Sequence, residues 1–125
     1  MGYRSQVVLA IGKELIPFLL LATSRCKRAE ALVFKDHDLF DRDYFEGWLL
    51  RWDDIKWCDS YEGINAIEKF MHAACSDEYE IMKKDGKKQY SSEYIRFVRV
   101  GEESTDIETH GDGFWDIYPH TSINY

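Results

Sequence analysis

The chain has 125 residues, 45% of them hydrophobic and 15% aromatic, enough for one domain with its own core and too apolar for a disordered segment. Sixteen Lys and Arg against twenty-three Asp and Glu leave a net charge of −7, which argues against a general nucleic-acid backbone binder, because such proteins displace counterions with positive charge. Cys26, Cys58 and Cys75 fit neither a disulfide framework nor a CxxC metal or redox motif, and they favour a reduced, cytoplasmic setting.

In chain order, Val7, Leu9 and Ile11 alternate with polar or small residues, which predicts a first strand within Tyr3 to Ile11. Gly12 breaks the alternation. Leu15, Phe18, Leu19 and Ala22 then recur at spacings of three and four, predicting a helix that ends near Cys26 with Pro17 in its first turn. The uncharged stretch from Leu15 to Ser24 is ten residues long, about half of what a membrane span needs, and Lys13 and Glu14 interrupt the apolar region a signal peptide would require. Gln6 stands where a myristoylation signal has a small hydroxyl residue. Arg25, Lys27 and Arg28 would place three cations at the end of the helix, where they complement its dipole or mark a phosphate site.

The apolar run Ala31 to Phe34 has strand length, Asp36 to Asp43 is polar and reads as a loop, and Tyr44 to Trp52 reads as another strand. Ile64, Ile67, Phe70, Met71 and Ala74 define a second helix, with Asp59 and Glu62 spaced as a capping box. Ser76 to Lys84 reads as a further helical turn closed by Gly86, with a hairpin about Asp85 and Gly86 as the alternative. Tyr94 to Val100 is apolar on both faces, as expected of a covered or central strand, and Phe114 to Tyr118 is a last short strand. The order strand, helix, strand, strand, helix, strand predicts a single α+β domain over 1–125. Its expected form is a ferredoxin-like (split βαβ) antiparallel sheet with two helices on one face and a short C-terminal strand.

Charge is uneven along the chain. Residues 1–35 carry +4 (six basic, two acidic), 36–80 carry −9 (four and thirteen), 81–100 carry +4 (six and two) and 101–125 carry −6 (none and six). Brought together by folding, the two acidic stretches would form a surface able to steer a basic partner. Asp36, His37 and Asp38, with Asp41 and Asp43 nearby, have the oxygen and imidazole donors that suit Mg, Mn or Fe, but not the spacing of a calcium-binding loop. His72, His110 and His120 are scattered, and no nucleophile elbow, phosphate-binding glycine loop or HExxH is present. Trp48, Trp52, Trp57 and Tyr61 gather within fourteen residues, interleaved with Arg51, Asp53 and Lys56, a combination typical of binding surfaces. Trp48 and Trp52 share a strand face, so Trp57 is the ring expected outside, where its loss would weaken partner binding and spare stability.

Three segments resemble a family of small, mostly uncharacterised bacteriophage-encoded proteins. These are the opening Met1, Gly2, Tyr3, Arg4, Ser5 leading into Val7 and Val8; Ile55, Lys56, Trp57 followed by Asp59, Ser60 and Tyr61; and Arg99, Val100, Gly101, Glu102 followed by Asp106. The chain departs from that family's pattern at Cys58, where Tyr is expected, and in the lysine-rich stretch from Lys83 to Lys88. The resemblance carries no catalytic residues with it. It implies an accessory protein of an infected bacterial cytoplasm that binds and blocks a host protein or ribonucleoprotein complex, for instance a defence complex of the CRISPR type.

The expectation is therefore a non-enzymatic interaction protein, monomeric or homodimeric, with no cofactor, no membrane and no sequence-specific nucleic-acid contact. Its expected binding residues are Arg4, Asp53, Asp54, Lys56, Trp57, Tyr61, Arg99, Glu102, Glu103 and Asp106. A metal-dependent hydrolase or nuclease built on Asp36 to Asp43, and a module that captures a small nucleotide at the cationic end of the sheet, are the alternatives.

Overall fold

Strand β1 (Ser5–Ile11) is the axis of the molecule: Val7 through Ile11 are all fully buried, because both of its edges are paired and both of its faces are covered. The structure, a computed structural model, describes residues 4–82, 88–103, 105–114, 116–119 and 123–124. After a 3-10 turn (Lys13–Leu15) come helices α1 (Ile16–Ser24) and α2 (Lys27–Phe34), strands β2 (Leu39–Tyr44) and β3 (Gly47–Ile55), and helix α3 (Glu62–Cys75). The hairpin β4 (Glu80–Met82) and β5 (Lys88–Tyr90) follows, then a 3-10 turn (Ser91–Tyr94), β6 (Ile95–Gly101), β7 (Ile107–His110) and the short pair β8 (Tyr118–Pro119) and β9 (Ile123–Asn124). The fold is α+β: β2, β3, β1, β6 and β7 lie in that order in one antiparallel sheet, flanked by three helices. Among the described residues no helix is long and apolar enough to cross a membrane.

The helices share one face of the sheet. Val7, Leu9, Ile11, Leu50, Trp52, Ile95 and Phe97 pack there against Leu19 of α1, Ala29 and Val33 of α2, and Ile67, Phe70, Met71 and Ala74 of α3. On the opposite face Val8, Ala10, Leu49, Val98 and Val100 are covered by Ile117, with Leu39, Tyr44 and Phe114 packed around them. Phe114 and Ile117, both after β7, thus help close the second face, which explains why β6 is apolar on both sides.

Several expectations are corrected. Ala31 to Phe34 is not a strand but the end of α2, whose buried Ala29 and Val33 are four residues apart and face the core. Two helices were expected on one face and three are present. The polar stretch Asp36 to Asp43 is largely strand β2, and Tyr44 ends it rather than starting the next strand. It escapes the hydrophobic pattern because it is an edge strand, paired only with β3. The β2–β3 turn also lacks a sequence signal: Phe45 and Glu46 both hold positive φ, 48° and 65°, where Asn-Gly would be usual. Helix α3 has Tyr61 at its N-cap with no side-chain cap, so Asp59 and Glu62 form no capping box. The hairpin alternative holds at Glu80–Tyr90, with the turn residues 83–87 outside the described residues. Phe114 takes positive φ in a loop, Trp115 lies outside the described residues, and the terminal strand starts only at Tyr118. The sheet carries a fifth main strand, β7, beside β6, which a four-stranded ferredoxin-like sheet does not have.

Candidate functional site

The three segments singled out by resemblance meet at one end of the sheet: Ser5 pairs with Ile55 on one side and with Gly101 on the other. Between the pairs Val7–Trp52 and Ser5–Ile55, two residues of β3, Asp53 and Asp54, oppose one of β1, Gln6. This bulge re-aims the side chains of Asp53 and Asp54 at the sheet's end. Arg4 donates its backbone N–H to Glu102 Oε1 (2.8 Å) and its Nη1 to the Asp54 carbonyl (3.1 Å), which ties the chain start to β3 and to the turn after β6. Asp53 accepts from Gln6 Nε2 (3.3 Å) and pairs with Arg51 Nε (2.9 Å).

Arg99 is the most committed cation of this end. Its Nε donates to Glu108 Oε1 (3.1 Å), its Nη1 to Ser5 Oγ and Asp106 Oδ2 (both 3.1 Å), and its Nη2 to Asp106 Oδ1 (2.8 Å) and Glu108 Oε1 (2.7 Å). Five donors make five bonds, the full capacity of a guanidinium. Its side chain is 11% exposed, and the Asp106 bonds, reinforced by Glu108 against the cost of burial, hold its pKa well above the ordinary value. The cluster continues through His110 Nε2, 3.5 Å from Glu108 Oε2, to the His72 ring 5.4 Å away, and on to Glu68, 3.1 Å from His72 Nε2. This network clamps β7 to β6 and to α3.

Trp57 belongs to that network and not to the surface. It is half-buried, its Nε1 donates to Glu68 Oε1 (2.6 Å), and its ring lies 5.5 Å from Trp52 and 5.6 Å from Phe97. The expected exposed ring is thus corrected: Trp57 fills the space between β3 and α3. The acidic surface is also reduced, because Arg99 pairs with both Asp106 and Glu108 and offsets one of their two charges, and Arg51 pairs with Asp53. Asp53, Asp54, Glu102 and Glu103 remain exposed at this end.

Next to them opens a cleft of about 500 Å³. Arg4, Arg28 of α2, Lys56 after β3 and Tyr61 line it with two carboxylates, Asp36 and Asp54, over an apolar floor that includes Leu32, Ile55 and Ile64. Gly63 lets α3 reach α2 here: a Cβ on it would lie 3.0 Å from the Arg28 carbonyl carbon and 3.1 Å from the Ala29 nitrogen. Tyr61 is 47% exposed. Arg28 and Lys56 make no hydrogen bond or ion pair among the described residues, in contrast to Arg99.

Sequence reasoning placed Arg4, Asp54, Lys56 and Tyr61 among the binding residues but missed Arg28 and Asp36 as their companions. The signal was the run Arg25, Lys27, Arg28, misassigned to the end of one helix. Arg25 does cap α1, but Lys27 and Arg28 open α2, where the helix dipole disfavours positive charge. The proposed metal loop does not assemble. Asp36 lines the cleft, His37 Nδ1 lies 3.0 Å from the Val33 carbonyl, and Asp38 Oδ2 accepts the Asp53 N–H (2.7 Å). Among the described residues no three His, Cys, Asp or Glu side chains are placed to hold a metal ion. Cys58 is exposed beside Ser60, its sulfur 3.0 Å from the Ser60 oxygen, whereas burial, reinforced by Asp112 and Asp77, pushes the Cys75 thiol up to about 11.

Comparison with known proteins finds no matching family model, no similar curated protein and no similar solved structure.

Proposed function

We propose that the protein is a small, non-catalytic binding module that holds an anionic group in the cleft between α2, the end of β3 and the start of α3. One observation carries this reading: in a chain of net charge −7, cations from three separate segments, Arg4, Arg28 and Lys56, line one cleft. Two of them are left without partners among the described residues, and Arg28 sits in a helix's first turn against the dipole. A local rule broken without structural return is what a functional site leaves behind. The start of α3, which has no side-chain cap, adds backbone N–H donors on the same side. The α+β fold supplies the scaffold, since α2, the end of β3 and the start of α3 wall the cleft beside the five-stranded antiparallel sheet.

Titration calorimetry with pyrophosphate tests it. Binding is expected, weakening as salt rises and lost when Arg28 and Lys56 are both replaced by Gln; no binding to the unmodified chain overturns the proposal. A second reading is favoured by the exposed Asp53, Asp54, Glu102 and Glu103 beside the cleft: a phage-type cytoplasmic accessory protein that occupies a host protein or ribonucleoprotein complex through this acidic rim. Replacing Glu103 by Lys should weaken such an association and leave pyrophosphate binding in place; Glu102 is kept because it holds the Arg4 N–H.

A further inference from the structure

We infer that the cleft takes a nucleoside phosphate, with the phosphate on Arg4, Arg28 and Lys56, the flat base against Tyr61, and donor groups of sugar or base on Asp36 and Asp54. This rests on the anion-binding reading above and goes further by naming the ligand.

The lining itself argues for a ligand of mixed character. Three cations alone would suit any phosphate or sulfate, but Asp36 and Asp54 share the cleft with them, and a bare anion meets repulsion from two carboxylates. Ionised carboxylates only accept hydrogen bonds. Their presence beside cations favours a molecule with a negative group at one end and N–H or O–H donors at the other, as in a nucleotide with its phosphate, its sugar hydroxyls and its base. Tyr61 supplies the third element. It stands 47% exposed at the N-cap of α3, and a half-exposed ring at the mouth of a cationic cleft provides a stacking surface that tolerates any base. The apolar floor of Leu32, Ile55 and Ile64 gives the base or sugar a face to cover. Size agrees: a cleft of about 500 Å³ lies in the lower half of the range of roughly 300–1,000 Å³ usual for small-molecule pockets, fitting one nucleotide and not an oligonucleotide.

The test is calorimetric titration of the full chain with the 5′-diphosphates of adenosine, guanosine, cytidine and uridine, with ribose 5-phosphate, and with pyrophosphate. At least one nucleoside diphosphate should bind tenfold or more tighter than pyrophosphate, with ribose 5-phosphate between them. Tyr61→Ala should bring that nucleotide down to the pyrophosphate level and leave pyrophosphate unchanged. Asp36→Asn with Asp54→Asn should weaken the nucleotide and strengthen pyrophosphate, opposite signs that a merely misfolded variant does not give. If pyrophosphate binds but all nucleotides match it, or if Tyr61→Ala affects both alike, the nucleotide inference is overturned and the anion site stands. If nothing binds, both fail.

Discussion

Arg99 and Arg28 carry the same charge on the same protein and are used in opposite ways. Arg99 spends all five of its donors on Ser5, Asp106 and Glu108 and is almost enclosed; Arg28 lines an open cleft with no partner among the described residues. A saturated, buried guanidinium has nothing left to offer a ligand, so the Arg99 cluster is a clamp for the edge strand. An exposed cation in an unfavourable helical position stabilises nothing by itself. Which cations are left available to a ligand is therefore decided by what their donors already do and not by where charge accumulates in the sequence.

Substitutions on the clamp side should cost stability and spare binding, and the largest effect is expected at Trp57. It is the immediate neighbour of the cleft residue Lys56 but faces the other way. Trp57→Ala removes a half-buried ring from between Trp52 and Phe97 and takes the indole N–H away from Glu68, which keeps His72; a loss of about 3 kcal/mol in denaturant unfolding is expected, with pyrophosphate affinity kept in the folded fraction. A drop in affinity at unchanged stability would move Trp57 to the binding side of the comparison. Arg99→Met comes next. It leaves Asp106 and Glu108 facing each other, but both are about a third or more exposed, so the loss should stay near 2 kcal/mol, below the figure for a fully buried pair. Asp106→Asn in the Arg99→Met background should then cost almost nothing, because the pair it belonged to is already gone.

The contrast between the two regions also shows how much was legible from the residues alone. Apolar runs and period-3.6 spacing located β1, α1, α3 and β6, because the core demands apolar side chains there, on both faces of the two strands and on one face of α3. They failed at α2 and β2, where eight residues hold only two buried side chains and an edge strand is polar on its open side. The convergence of Arg4, Lys56 and Arg99 at one end of the sheet followed from the strand order. Their division into clamp and cleft did not, because it depends on the turn before β7 and β7 itself delivering Asp106 and Glu108 to one cation and α2 delivering Arg28 beside the other. No local pattern encodes either delivery.

On the cleft side the effects on stability should be small and those on binding large. Gly63→Ala is intermediate: a methyl there must push against the α2 backbone at 3.0–3.1 Å, so about 1 kcal/mol of overpacking offsets the gain in helix propensity. Because the two helices that wall the cleft must separate to make room, pyrophosphate affinity should fall by more than the stability change accounts for. Unchanged affinity would show that the α2–α3 spacing does not shape the site.

The smallest expected effect on stability has the most informative sign. Lys27 and Arg28 are the first two residues of α2, with only Glu30 in that turn to offset them, and removing a cation from the start of a helix is worth roughly 0.3–1 kcal/mol when exposed. Lys27→Gln and Arg28→Gln should therefore each leave the protein as stable as before or slightly more so, by about 0.3 kcal/mol. Only Arg28 lines the cleft, so only Arg28→Gln should weaken pyrophosphate binding, while Lys27→Gln binds as the unmodified chain does. A gain in stability coupled to a loss of binding is the trade expected where a residue is kept for a ligand. Equal binding by the two variants, or a stability loss confined to Arg28→Gln, would make Arg28 a structural cation like Arg99 and remove the difference between the two regions.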